Sequence, residues 1–183
     1  YGLKNSIPLK EDMQKDCLNP YSVSKTAGEE LCKMYTDLFG LKTITFRYFN
    51  VYGERQPTKG QYAPVIGLFQ KQYLNGTPMT IVGDGLQRRD YTHVSDVVEA
   101  NILAGFYGDV NVVGEIFNIG SGVNYNIHDL VKMICGKDEP KEGLDFEYIP
   151  ERLGEMKETL SDSTKANSLL KWQPTVSLPD WIN

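Results

Sequence analysis

The stretch "NPYSVSKTAGEE", residues 19–30, sets Tyr21 and Lys25 four residues apart just after an Asn-Pro pair. Four residues is about one helical turn, so on a helix the two side chains share a face and their tips can meet. Asn19 is a good N-cap and Pro20 a good first helical residue, which puts Tyr21 in the first turn. There the positive end of the helix and the neighbouring ammonium both stabilise negative charge on the phenol oxygen. A phenol so placed can serve as a general acid or base. The spacing is not specific by itself, because 11 tyrosines and 14 lysines among 183 residues give about one Tyr-x-x-x-Lys by chance. A half-buried helical tyrosine beside a solvated lysine satisfies it equally.

The elements that must position this pair alternate along the chain. The Tyr21 helix is expected to run to Gly40, and "LKTITFRYFNVYG" supplies a β-branched and aromatic strand ending in a glycine turn. Apolar residues Val65, Ile66, Leu68, Phe69, Tyr73 and Leu74 fit one helical face stopping at Asn75 and Gly76. Short strands are expected in "TPMTIVGDG" and "RRDYTHV", then a helix from Asp96 to Tyr107 with Ser95 as N-cap. "EIFNIGSG" reads as a buried strand, "NIHDLVKMICG" as a helix capped near Asn126, and Asp162 or Ser163 as the cap of a last helix before Trp172. Strand and helix alternate as in a parallel, doubly wound α/β sheet.

Composition narrows the chemistry. With 40% hydrophobic and 11% aromatic residues the chain can bury a sizeable core. A net charge of -5 without a Lys/Arg-rich block argues against nucleic acid or an acidic membrane surface as partner. An anionic ligand must therefore meet a few placed cations. Cys17, Cys32 and Cys135 lie far apart, and with His93 and His128 they form no familiar metal spacing. No long apolar run or signal-peptide pattern is present, and a reducing, cytoplasmic setting fits. "GDGLQRR" and "GSGVNYN" begin like phosphate-binding loops but lack the last glycine. The opening "YGLKNSIPLKEDM" reads as a strand end running into a polar loop, so any dinucleotide phosphate loop is expected upstream of residue 1.

The blocks "NPYSVSKTAGEE", "RYFNVYGERQ", "GDGLQRRDYTHVSDVVEANILA", "FNIGSG" and "ERLGEMKETLSDSTKA" follow in order. Together they resemble the extended short-chain dehydrogenase/reductase superfamily, specifically its NAD-dependent nucleotide-sugar 4-epimerases, over essentially all 183 residues. The resemblance implies that residues 1–183 are a C-terminal part, holding the last strands of an NAD(P)-binding Rossmann-like sheet plus the small substrate-binding α/β region. The glycine-rich NAD-binding half is absent, as is the Ser or Thr that precedes the Tyr-Gly seen here as Tyr1 and Gly2. A full-length parent is implied to be a homodimer.

Carried over residue by residue, the resemblance makes Tyr21 the acid/base at the sugar O4 and Lys25 its electrostatic partner, both touching NAD. Tyr48 is implied to hold the nicotinamide through its backbone. Asn50, Arg89 and Arg152 are implied to contact the diphosphate of a UDP-sugar, a task suited to the arginine fork. Glu155, where the family usually has Asp, is implied to accept from the ribose hydroxyls. Val65 would offer a backbone N–H near the uracil, and the small Thr159 would wall the pocket beside the sugar C2 substituent. His93 is read as structural. Nucleotide-sugar 4,6-dehydratases and UDP-glucuronate decarboxylases share the Tyr-Lys chemistry, and a non-catalytic sugar-nucleotide-binding module is the alternative outside enzymology.

Overall fold

A computed structural model describes residues 1–58, 64–107, 110–151 and 156–182. Helix α1 (Pro20–Phe39) begins as its sequence dictates. The Asn19 side chain accepts from the Ser22 N–H at 2.9 Å, and the Ser22 hydroxyl accepts from the Asn19 N–H at 3.2 Å, a reciprocal cap on the orphan donors of the first turn. It stops at Gly40, whose left-handed φ of 67° lets its N–H turn back to the Thr36 carbonyl.

Strand β1 (Thr45–Tyr48) pairs in parallel with β5 (Ile116–Ile119). Strand β2 (Asn50–Tyr52) pairs in parallel with β4 (Arg88–His93), and β4 pairs antiparallel with β6 (Asn124–Asn126). Strand β3 (Met79–Val82) pairs in parallel with β7 (Phe146–Ile149). The helices between them are α2 (Val65–Leu74), α3 (Val94–Tyr107), α4 (Ile127–Cys135), α5 (Thr164–Leu170) and α6 (Leu178–Ile182). The parallel α/β arrangement expected from alternation is present, with β4–β6 as an antiparallel exception.

Apolar side chains collect in two cores. One joins Tyr52, Ile66, Phe69, Met79, Ile81, Leu130 and Phe146 beneath α2 and α4. The other joins Ala100, Phe117, Ile119, Leu170 and Trp172 beneath α3 and α5. By contrast, α1 has no buried residue, and its Leu31, Met34, Tyr35, Leu38 and Phe39 are exposed.

Several local expectations are corrected. Helix α3 starts at Val94, with Ser95 inside its first turn, because the Ser95 hydroxyl is held by His93 Nδ1 at 2.7 Å. The helix before Trp172 is followed by α6, and residues 1–8 contain no strand. An isolated bridge from Leu9 to Ser161 joins the opening segment to the sheet region.

Candidate active site

Alternation along β4 sorts its side chains onto two faces. Arg89 and Tyr91 point one way and, with Asn50 registered beside Tyr91 on β2, line a cavity of about 410 Å³. Val65, Ile66, Thr80, Gln87 and Ile149 complete much of its wall. Arg88 points away and is occupied there, donating from Nε and Nη2 to the side chain and backbone of Asn124 at 2.8 and 2.9 Å. Strand geometry thus selects Arg89 over its neighbour as the cation of the cavity.

Val65 is the first residue of α2, and the preceding Pro64 makes no side-chain cap. The backbone N–H of Val65 therefore has no intrahelical partner and belongs to the positive end of a helix opening on the cavity. Gln87 donates its amide to the Val82 carbonyl at 3.0 Å, while Thr80 accepts from Gln72 at 3.0 Å. Gln87, Thr80 and Tyr91 are cavity residues that the sequence did not single out. The one available signal was the alternate spacing of Gln87 and Tyr91 about Arg89, at and before β4; Thr80 lies on β3 and had none.

Tyr21 and Lys25 stand on the solvent side of α1, and Tyr21 is 67% exposed. The Lys25 Nζ lies 5.2 Å from the centroid of the Tyr21 ring, so the spacing of the pair does bring ammonium and phenol together. Neither residue lines the 410 Å³ cavity. Tyr48 sits at the C-terminal end of β1 in a second groove of about 370 Å³, shared with Ile44, Phe46 and Asn101. Its hydroxyl exchanges hydrogen bonds with the Asn101 amide at 2.9 and 3.2 Å. Among the described residues the other edge of β1 has no strand partner.

Thr159 is half-buried, and its hydroxyl accepts from the Asp90 N–H at 3.3 Å while its own N–H donates to the Arg88 carbonyl at 3.0 Å. It is not among the residues lining the cavity. Arg152 and Glu155 lie outside the described residues.

Two charged clusters brace this region. Asp90 is fully buried and accepts five hydrogen bonds, from Ser121 N and Oγ, Gly122 N, and Ser161 N and Oγ, at 2.7–3.0 Å. A Cβ on Gly120 would fall 2.2 Å from the Ser161 Oγ, so this knot closes only around a glycine. Glu29 of α1 meets Arg47 of β1 in a forked pair, Nε to Oε1 at 2.7 Å and Nη2 to Oε2 at 2.8 Å. Burial pushes the Glu29 carboxyl up, but the Arg47 guanidinium and the Lys15 ammonium outweigh it and hold the group below the usual range. His93, buried, packs edge-on against Tyr52 and lies beside Trp181, with Glu54 3.5 Å from its Nε2. Among the described residues no cluster of His, Cys, Asp and Glu is arranged to hold a metal ion, and no helix is long and apolar enough to cross a membrane.

Parallel strands leading into an arginine-bearing cavity, and a capped helix carrying a Tyr-Lys pair, define an α/β protein of the Rossmann-like class. The chain belongs to the NAD dependent epimerase/dehydratase family, whose model matches residues 1–120. It is 38% identical to a UDP-glucose 4-epimerase of Mycolicibacterium smegmatis, an alignment covering 100% of this chain and 56% of that one. The solved UDP-glucuronic acid 4-epimerase of Bacillus cereus, in complex with UDP-glucuronic acid and NAD, superimposes with a TM-score of 0.86 at 36% identity, over 100% of this chain and 55% of that chain. A UDP-N-acetylglucosamine 4-epimerase from Methanobrevibacter ruminantium, in complex with UDP-N-acetylmuramic acid, gives 0.87 at 31%, over 100% and 57%. The chain thus spans about half the length of the curated relatives it matches.

Proposed function

We propose that this chain is the substrate-binding part of an NAD-dependent UDP-sugar 4-epimerase whose glycine-rich half lies outside the sequence. The observation that carries the reading is the meeting of Lys25 and Tyr21 on the exposed face of α1, in a fold that also holds an arginine-bearing cavity. The free edge of β1, the groove beside it and the exposed apolar residues of α1 support a further parallel layer in the complete enzyme. We take the chain alone to be inactive, since it contains no phosphate-binding loop for a dinucleotide.

The residues present fit the nicotinamide-ribose end of NAD. Among the described residues the Lys25 ammonium makes no hydrogen bond or ion pair, which leaves its three donors for ribose hydroxyls. The unpaired edge of β1 at Tyr48 leaves backbone groups for the carboxamide. Bound NAD supplies the hydride acceptor, and later donor, at the sugar C4. Tyr21 takes the O4 proton as the 4-keto sugar forms and returns it after the sugar has turned in the site. Lys25 stabilises the phenolate in the interval. Asn50 and Arg89 hold the diphosphate in the cavity, Arg152 adds a second clamp, Glu155 accepts from the ribose, and the Val65 N–H faces the base. The longer protein is expected to pair as a homodimer.

The diphosphate role has a direct test. Arg89→Ala in the complete enzyme is expected to weaken UDP binding by about 1.5–3 kcal/mol, the range for a hydrogen bond to a charged group. Calorimetry with UDP and with free sugar checks this, and equal UDP affinity in wild type and variant would return Arg89 to a surface role.

The substrate range depends on Thr159. Its hydroxyl accepts from the Asp90 N–H and keeps its own O–H to donate; it does not line the cavity of this chain, and its small size leaves room beside it. We expect the complete enzyme to turn over UDP-N-acetylglucosamine and UDP-N-acetylgalactosamine as well as UDP-glucose and UDP-galactose. Thr159→Tyr should remove the N-acetylated activity selectively, read as kcat/KM for each pair. A wild-type enzyme inactive on all four sugars overturns the epimerase reading; one inactive only on the N-acetylated pair overturns the role of Thr159.

A further inference from the structure

Tyr21, Lys25 and Glu29 recur every fourth residue of α1 and form one stripe along the helix. Glu29 is the member of the stripe that is tied down. Besides the two bonds of its fork, Arg47 donates from Nη1 to the Glu11 carbonyl at 3.2 Å, and its guanidinium lies 4.7 Å from the centroid of the Tyr1 ring. The Tyr1 hydroxyl in turn donates to the Asn118 side chain of β5. Lys15 adds a contact to Glu29 Oε2 at 3.2 Å. Arg47 is thus clamped on its own side, with Arg47 and Glu29 13% and 12% exposed.

Elsewhere α1 has little to hold it. None of its residues is buried. Its other ties to the fold are polar and sit mostly toward its C-terminal half, where Thr43 donates to the Cys32 carbonyl at 3.1 Å and shares a hydrogen bond with Thr36 at 2.6 Å. Near Tyr21, among the described residues, the hydrogen bond from the helix to the rest of the chain is that of Thr26 with Cys17 at 3.3 Å, a loop residue. The face that α1 turns to the fold, with Ser22, Thr26, Cys32 and Thr36, is half-buried and made of small side chains, a shallow contact that fixes the roll of the helix less firmly than a buried apolar face does.

We infer that the Glu29–Arg47 fork is a positioning device that sets the roll of α1 and so aims the Tyr21–Lys25 pair. The inference rests on the reading of Tyr21 as the acid/base. Two parallel bonds to a planar guanidinium fix an orientation, whereas a single contact fixes only a distance. Side chains extend about 5–6 Å from a helix axis, so a roll of about 10° moves a tip by about 1 Å. A misplacement of that size costs about 10²-fold in a reaction that depends on alignment.

The test uses the complete enzyme. Glu29→Gln keeps the shape and removes the charge, and Arg47→Lys keeps the charge and removes the fork. Both are expected to lower kcat per folded enzyme by about 10- to 100-fold, with KM for the UDP-sugar within about two-fold of wild type. The charge-reversed double variant, Glu29→Arg with Arg47→Glu, should recover at least part of that loss, because the fork is rebuilt in the opposite sense. A role in stability alone would lower the folded fraction, followed by circular dichroism, without changing kcat per folded enzyme. Should Glu29→Gln fail to fold, Arg47→Lys decides by the same criterion. Normal kcat per folded enzyme in the variants that fold overturns the inference. Tyr21→Phe is assayed alongside: retained turnover there overturns the catalytic reading itself, whereas its loss with normal turnover in the fork variants overturns only the positioning role.

Discussion

Tyr21→Phe in the complete enzyme is expected to reduce turnover by about 10²- to 10⁴-fold, the usual contribution of a general acid–base group. Phenylalanine keeps the ring, so the packing of the first turn and the cap at Asn19 are undisturbed. What disappears is the atom proposed to take the O4 proton, beside the Lys25 ammonium that lies 5.2 Å from the ring centroid. UDP-sugar affinity should change little, because Asn50, Val65 and Arg89 line a cavity to which Tyr21 does not contribute. The separation of effects is the test: kcat should collapse while the Kd for UDP-sugar stays near wild type. Near-normal kcat at saturating substrate would mean that another residue moves the proton.

Legibility in the sequence followed the strength of local rules. The limits of α1 could be read from Asn19, Pro20 and Gly40, and the start of α4 from Asn126, because caps and left-handed glycines act over three or four residues. Strands β6 and β7 and helix α6 could not. Three to five residues are too few to show a period, and β6 exists because β4 offers it an edge. Arg89 and Arg88 are chemically alike in the sequence. Their separation into a cavity residue and an Asn124-bound residue follows from pleating, visible once the strand is placed. The chain also hides its polar core. Asp96, 3% exposed, accepts from Thr175 and Val176 some 80 residues away, a partnership no local pattern announces. Glu29 looks like an ordinary solvated helix charge until Arg47 is seen beside it.

Asp90→Ala is expected to be the most destabilising single change in this region, by about 3–5 kcal/mol, from several donors left without their acceptor at about 1–3 kcal/mol each. The carboxylate is fully buried and accepts from three backbone N–H groups and two serine hydroxyls. Those donors come from the loop after β5 and from Ser161, so Asp90 is the point where β4, that loop and the segment leading into α5 are joined. Alanine would leave three backbone donors without their acceptor: that of Ser161 is buried and that of Ser121 half-buried, while that of Gly122 can be met by water. The serine hydroxyls can rotate toward other acceptors, as Ser121 Oγ already does toward the Val123 carbonyl at 2.9 Å; the N–H groups cannot. Each unsatisfied buried donor costs about 1–3 kcal/mol, partly offset because a buried charge is removed with them. Asp90→Asn should cost less, since one oxygen remains, yet its amide donors would face donors on the other side. Against a total stability of about 5–15 kcal/mol, the alanine change takes a third or more. Urea unfolding of the complete enzyme without nucleotide provides the measurement, with the order wild type, Asn, Ala. A loss below about 1 kcal/mol in Asp90→Ala, the worth of an ordinary neutral hydrogen bond, would mean that the loop is held by something other than this carboxylate.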